Sequence, residues 1–285
     1  MEASGIGSLL PLKGAPMKTL YVSDLDGTLL HSDATVSGYT ADVINALVNK
    51  GMLFSYATAR SYVTASKVTR AIQAKIPLIV YNGALVIDNS TGKILLSNFF
   101  GEDAKPLLAD LLSHQVYPIV YAFVDGVEKF SYVEKMVTPG MQQFLDTRPG
   151  DPRRNPVASA EELFLGDIFY FTCIDSQEKL EPLWHKYRQV HHTVYDRDIY
   201  SGAQWLELMP AAASKSNAAA QLKKLLGCDR LVAFGDGSND IDLFQLADEA
   251  YAVSNASDKL KAVATAVIPS NDEDGVARWL SENVQ

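Results

Sequence analysis

Apolar positions recur along this chain in two rhythms, and the rhythm changes twice. Residues 18–23 form a short apolar run ended by Asp24. In GYTADVINALVNK (38–50), Val43, Ile44, Leu47 and Val48 share one helical face, with Gly51 as a stop. MLFSYATAR (52–60) predicts a second strand, SYVTASKVTRAIQAK (61–75) a second helix, and PLIVYNG (77–83) a third strand. Apolar strands alternating with helices through short connections predict βαβ units, and so a parallel sheet covered by helices.

After Gly83 the pattern becomes one of hairpins. ALVIDNSTGKILL (84–96) predicts a hairpin around Asn89–Gly92, and EDAKPLLADLLSHQ (102–115) a helix. Strand-like runs at 117–125 and 127–134 meet at Asp125-Gly126, and TRPGDPRRNP (147–156) reads as a loop. A strand at 167–175, a helix at 176–189 and strands at 191–198 and 204–210 follow. From 214 the first rhythm returns: helix 214–227, strand 230–236, helix 239–248, strands 249–254 and 265–270 around a helix at 257–265, and a last helix at 274–284. The expected fold is α/β: a Rossmann-like parallel-sheet core from 17–83 and 210–285, interrupted by an α+β insert with two helices at 84–209. Residues 1–16 are set aside as an N-terminal extension that an expression vector could have added, because Met17-Lys-Thr-Leu reads as a natural start.

The residue totals narrow the function. With 47% apolar and 21% charged residues, the chain has an ordinary globular composition. No run approaches the ~18 apolar residues of a membrane helix, and the N-terminus lacks a basic leader and is broken by Pro11. Cys173 and Cys228 are far apart, with neither metal-type spacing nor a disulfide framework, so a reducing cytoplasm is the expected location. A net charge of −9 without a long basic run argues against nucleic acid. An anionic substrate remains compatible where a divalent cation supplies local positive charge.

Sites in open α/β sheets form at the carboxyl ends of the strands. Four polar clusters fall there: Asp24 with Asp26, Thr58, Lys215 near a helix start, and Asp236 with Asn239 and Asp240. A lone Asp at a strand end is usually a turn or cap residue, but that reading would have to hold four times over. Converging carboxylates repel unless a cation sits among them, and oxygen-only ligands favour Mg²⁺. Thr58, Lys215 and backbone amides suit a phosphoryl group. An Asp can itself be the nucleophile, and a second carboxyl two residues on can move the protons. On an extended chain positions i and i+2 share a side, so Asp24 and Asp26 are expected to serve one site.

These residues carry a resemblance. DLDGT (24–28), ATAR (57–60), Lys215 and GDGSND (235–240) resemble the four motifs of the haloacid dehalogenase superfamily. The large insert between the second and third motifs, with VSNAS (253–257) and SNDEDGVARWL (270–280), resembles the Cof-type sugar-phosphate phosphatases with a C2B cap. The resemblance implies Asp24 as nucleophile and Mg²⁺ ligand. It implies Asp26 as general acid and then base, with its carbonyl on the metal. An acid must be protonated when the ester enters, so burial by the closed insert and nearby carboxylates are expected to raise the Asp26 pKa. Thr58 and the Ala59 amide would hold phosphoryl oxygens, and Lys215 would neutralise charge. Arg60, read from its place after Thr58, is expected either to reach the cleft or to sit at the surface of a helix start. Asp236 would ligate Mg²⁺, Asp240 would ligate it or orient its waters, and Asn239 would contact phosphate or Lys215. Many relatives have Gly at the position of Ala59. The substrate class implied is a small phosphorylated metabolite, met by a monomer or weak homodimer.

Other features read as structural. GDGSND has Asp240 where a dinucleotide fingerprint has its third Gly. His191 and His192 point to opposite strand faces, one expected at the surface and one packed. Arg153 and Arg154 are expected to be solvated in their Pro-rich loop. Trp184 and Tyr187 read as packing of the insert, and Cys173 as a small buried hydrophobe. The competing functions are a phosphomutase with the same aspartyl-phosphate chemistry, a phospho-accepting regulatory module, and an inactive binding protein. Asp26 argues against the regulatory module, since a group meant to stay phosphorylated gains nothing from a positioned acid/base.

Overall fold

The computed structural model describes residues 17–73, 75–197 and 202–284 of the 285. The expected extension at 1–16 lies outside them. The chain opens with β1 (Thr19–Ser23), α1 (Gly38–Asn49), β2 (Leu53–Tyr56), α2 (Tyr62–Val68) and β3 (Leu78–Val80). Next come β4 (Leu85–Ile87), β5 (Ile94–Ser97), α3 (Ala104–Ser113), β6 (Ile119–Val124), β7 (Val127–Val133), α4 (Pro139–Asp146), β8 (Arg154–Val157) and β9 (Asp167–Asp175). The remainder is α5 (Gln177–Tyr187), β10 (His192–Arg197), β11 (Gln204–Met209), α6 (Lys215–Leu226), β12 (Arg230–Gly235), α7 (Ile241–Leu246), β13 (Glu249–Val253), α8 (Asp258–Lys261), β14 (Ala266–Ile268) and α9 (Gly275–Asn283).

A five-stranded parallel sheet in the order β14-β13-β12-β1-β2 draws strands from both ends of the sequence. Leu20, Val22, Phe54 and Phe234 on its strands are fully buried, and each such side chain contributes ~1.5–3 kcal/mol of apolar burial. Caps fix the helices that cover it: the Ser37 hydroxyl accepts from Thr40 N before α1, and Ser214 accepts from Asn217 N before α6. Gly227 closes α6 in the left-handed conformation.

The middle of the chain builds a six-stranded sheet, β10-β11-β9-β6-β7-β8, antiparallel except at β7–β8. Strand alternation divides its faces. Val120, Phe171, Cys173, Leu206 and Leu208 pack with Leu108 and Leu111 of α3 and Leu180 and Leu183 of α5. Tyr121, Tyr170, Thr172, Trp205 and Glu207 take the other face and line a cavity. Tyr187 and Cys173 are buried and Trp184 packs on the same cluster, as the sequence suggested.

Five expectations are corrected. The third strand does not continue the parallel sheet: β3 pairs antiparallel with β4 in a small sheet with β5, and only the Ala57–Ile79 bridge ties it to the end of β2. The cause is a run of positive φ at Tyr81, Asn82 and Gly83, which reverses the chain. A third helix, α4, stands in the insert, because Pro139 follows the Thr138 cap at the first helical turn, where proline is tolerated. The 147–156 loop ends in β8, which pairs with β7. Arg153 is not solvated. It is 6% exposed and ion-paired to Asp151 and Glu128. Arg154 is exposed, with Nε donating to the Tyr132 hydroxyl. His191 and His192 are both half-buried.

Candidate active site

β1 ends at Ser23, and the Asp24 amide makes the next rung to Phe234 O of β12 at 2.9 Å. The Asp24 carboxylate is thereby buried at the carboxyl edge of the sheet. Lys215, the first residue of α6, donates to Asp24 Oδ1 at 2.6 Å and to Asp240 Oδ1 at 2.7 Å. The α6 N-terminus comes this close because residue 83 is Gly. A Cβ there would lie 2.2 Å from Ser214 O, on a backbone with φ +94°. Asp240 Oδ2 accepts from the amides of Asp236 and Gly237 at 3.2 and 3.1 Å, so both its oxygens are engaged.

Asp236 is held by Thr28, whose hydroxyl donates to Oδ1 at 2.8 Å. Gly27 is required beside it. Its φ is +76°, and a Cβ would lie 2.4 Å from Asp236 Oδ2. Oxygens of Asp24, Asp236 and Asp240 lie within 4.8 Å of one another.

Burial pushes the Asp24 carboxyl well above the usual carboxylate range; Lys215 pulls it back, and Asp240 and Asp236 push it further. Asp236 is raised as well, by burial, against the hydrogen bond from Thr28. Burial alone would lower the Lys215 ammonium, but the Asp24 and Asp240 carboxylates more than reverse this and keep it protonated. Three clustered carboxylates against one ammonium leave excess negative charge in a buried site. The donor set is all oxygen, which fits a hard divalent cation such as Mg²⁺. Asp24 and Asp236 would hold it, and Asp240, with both oxygens engaged, orients Lys215 and the 236–237 backbone.

Asp26 departs from expectation. Its side chain is 51% exposed and lies outside the carboxylate cluster. It is bound in a fork by Arg60, Nε to Oδ2 at 2.8 Å and an Nη to Oδ1 at 2.6 Å. The i, i+2 rule holds only within a strand, and β1 has ended. Leu25 turns into the core and the left-handed Gly27 redirects the chain. Asp26 is therefore neither buried nor set among the other carboxylates here.

Thr58 is buried beyond β2, its hydroxyl accepting from the Arg60 amide at 3.1 Å. Ala59 is exposed at the mouth of the cavity, with Arg60 beside it. Asn239 is half-buried, close over Gly237, while Lys215 is bonded instead to Asp24 and Asp240.

Sequence reasoning did not find the cavity itself. It measures 680 Å³ and runs from Ala59 and Arg60 to the free face of the six-stranded sheet. Glu207 lines it in the company of Trp205, Tyr170, Phe130 and Phe144. The available signal was a lone carboxylate alternating in register with Trp205 inside an apolar strand. Burial pushes Glu207 up to about 7, with Tyr170 hydrogen bonding pulling the other way. Tyr121, on the same sheet face, also feels its charge.

Between 4.5, the ordinary value, and about 7, the folded protein holds a proton that the unfolded chain has lost. Stability therefore falls as pH rises through that window. The loss is at most about 3 kcal/mol, and on the order of 2 because solvent reaches the group through the cleft. Glu207→Gln is expected to match wild type near pH ~5 and exceed it by about that amount near pH ~8 in chemical denaturation. A constant difference between the two proteins across this range would show that Glu207 titrates normally.

Among the described residues no helix is long and apolar enough to cross a membrane. Two 5-amino-6-(5-phospho-D-ribitylamino)uracil phosphatases of Bacillus subtilis are 28% and 29% identical to the chain, covering 92% and 91% of it and 96% of each relative. Among solved structures, one from Thermotoga maritima superposes with a TM-score of 0.76 at 23% identity, covering 95% of this chain and 98% of its own. A haloacid dehalogenase-like hydrolase from B. subtilis superposes with a TM-score of 0.74 at 24% identity, covering 94% of this chain and 100% of its own. These superpositions establish the α/β fold with its antiparallel insert. The family model for haloacid dehalogenase-like hydrolases matches residues 21–280. By that match, which takes in every residue of the carboxylate–lysine cluster, the chain belongs to the haloacid dehalogenase-like hydrolases.

Proposed function

We propose that this hydrolase is a Mg²⁺-dependent phosphatase of small phosphorylated metabolites, sugar phosphates or related esters, working through an aspartyl phosphate on Asp24. The observation that carries the reading is the buried Asp24–Lys215–Asp240 arrangement with Asp236 beside it. An Asp24 oxygen attacks phosphorus and the ester P–O bond breaks. Asp26 gives its proton to the leaving alkoxide. It then takes one from the water that attacks the phosphoryl-aspartate, and inorganic phosphate leaves as the P–O bond to Asp24 breaks. Lys215 holds Asp24 in place and offsets charge as the phosphoryl group arrives. Thr58 and the Ala59 amide bind phosphoryl oxygens, and Asn239 contacts the phosphate. The metal, when bound by Asp24 and Asp236, with the Asp26 carbonyl, neutralises phosphoryl charge.

For this chemistry Asp26 has to leave Arg60. The pair is partly exposed, so solvent screens it, and an incoming phosphate can compete with the Asp26 carboxylate for the guanidinium. Arg60 lines the cleft and can meet the incoming anion.

Phosphate release from a panel of esters, with Mg²⁺ and with EDTA, tests the proposal. The panel spans sugar phosphates and the phosphoribitylaminouracil named for the relatives. Turnover is expected with Mg²⁺ and is expected to fall by at least ~10³-fold in EDTA. Undiminished turnover in EDTA would remove the metal from the proposal. Slow phosphate release with activation by a bisphosphate would make the enzyme a phosphomutase.

A further inference from the structure

The cavity beyond Ala59 has more aromatic wall than a sugar needs. Its rings touch in series: Tyr81–Tyr121 at 5.5 Å, Tyr121–Phe130 at 5.9 Å, Phe130–Phe144 at 6.1 Å and Phe144–Trp205 at 5.8 Å between centroids. Tyr170 closes the series against both Tyr81 and Tyr121. The Arg148 guanidinium carbon lies over the Phe144 ring, 3.6 Å from its centre, and Arg148 donates to Phe144 O and the Thr147 hydroxyl. Arg153 is held by Asp151, Glu128 and Tyr81. These side chains are fixed by one another, so the wall is formed before any ligand arrives.

Two features of this wall select a ligand. The volume of 680 Å³ falls within the ~300–1,000 Å³ of pockets that enclose molecules of several rings or a ring with a chain. The polar group set among the rings on β11 is Glu207, an acceptor when ionised, which also shares a hydrogen bond with Tyr170. Its position two residues from Trp205 puts carboxylate and indole on the same strand face. Flat aromatic walls pair best with a flat partner, and an acceptor among them pairs with an N–H or O–H donor.

Resting on the phosphatase reading, we infer that the alcohol part of the substrate carries a flat aromatic or heteroaromatic ring with an N–H or O–H donor. The ring packs against Trp205 and its neighbouring rings, and Glu207 accepts from the donor. Glu207 is then the residue that sets leaving-group specificity, while the phosphoryl end sits toward Thr58 and Asp24.

A matched pair of esters tests this: flavin mononucleotide, a phosphorylated ribityl chain bearing a ring with an N–H donor, and ribitol phosphate, the chain alone. The wild type is expected to favour the ring-bearing ester by about 30-fold or more in kcat/KM, mostly through KM. Trp205→Ala and Glu207→Leu are each expected to reduce that ratio by roughly 10-fold. Glu207→Gln, which keeps an acceptor, is expected to fall between. Thermal melts establish that each variant is folded. Riboflavin binding, followed by calorimetry, is read in parallel and needs no turnover. Hydrolysis of both esters with equal kcat/KM, unchanged in the variants, would overturn the ring pocket and leave the phosphatase standing. Riboflavin binding lost in Trp205→Ala, without turnover of either ester, would keep the ring pocket and overturn the phosphatase. Neither turnover nor binding would overturn both.

Discussion

Asp24→Asn is expected to lower kcat for every phosphate ester by at least ~10⁴-fold, and to make the protein more stable in EDTA. The first effect follows from chemistry. An amide is a poor nucleophile, and removing the group that forms the covalent intermediate forfeits that route. The second follows from burial. Asp24 is 6% exposed, and its carboxyl is pushed well up by desolvation despite Lys215. A carboxyl raised in the folded state withdraws stability as pH rises above its ordinary value of 3.8, so at neutral pH the ionised group is a net cost. Asn at 24 removes that cost and relieves repulsion with Asp236 and Asp240, while Lys215 keeps Asp240 as partner. Melting temperature in EDTA should therefore rise by several degrees. Mg²⁺ should raise the melting point of wild type more than that of the variant, because the ion binds the folded state through Asp24. An Asp24→Asn protein that retains turnover within ~10-fold, or melts well below wild type in EDTA, would refute this account.

The residues of that cluster were legible in the sequence because their positions obey local rules. Asp24, Thr58 and Asp236 follow apolar runs, and Lys215 follows a Ser that caps its helix. An apolar run ended by a polar residue needs no tertiary knowledge to be placed at a sheet edge. Asp26 was misplaced because a period of two was carried past the end of β1, where Gly27 bends the chain. Arg153 was misread for the opposite reason. Its Pro-rich setting describes the backbone, whereas its burial comes from Glu128 and Tyr81, 25 and 72 residues away. The insert shows the same limit. Alternation in β9 and β11 separates Phe171 and Leu206 from Tyr170 and Trp205. Which face meets α3 and α5 and which meets the site is decided only when the layers assemble. Helix α4 was hidden by Pro139 and Gly140, which stop most helices but here sit at the start of one.

Lys215→Met should produce the opposite imbalance. The ammonium is 2% exposed and bonded to two carboxylates, with a third within the same cluster. Removing one partner of a buried ion pair leaves uncompensated charge and costs about 3–5 kcal/mol. At ~2–4 °C per kcal/mol for a chain of this class, the melting point should fall by on the order of 10 °C. Turnover should fall by ~10³-fold or more, since the charge that meets the phosphoryl group is gone. Three further measurements separate this from a simple packing defect. Without Lys215 the raised carboxyls of Asp24 and Asp236 rise further, so the deficit against wild type should shrink on acidification, as these two protonate, and grow toward neutral pH. Mg²⁺ should recover part of the lost stability in a concentration-dependent way, because a divalent ion supplies the missing positive charge. Asp240→Asn added to Lys215→Met should restore stability relative to Lys215→Met alone, since it removes one of the stranded charges. A deficit independent of pH, Mg²⁺ and Asp240 would mean that Lys215 is held by its methylenes. The cluster would then not be the balance of charge on which the phosphoryl chemistry depends.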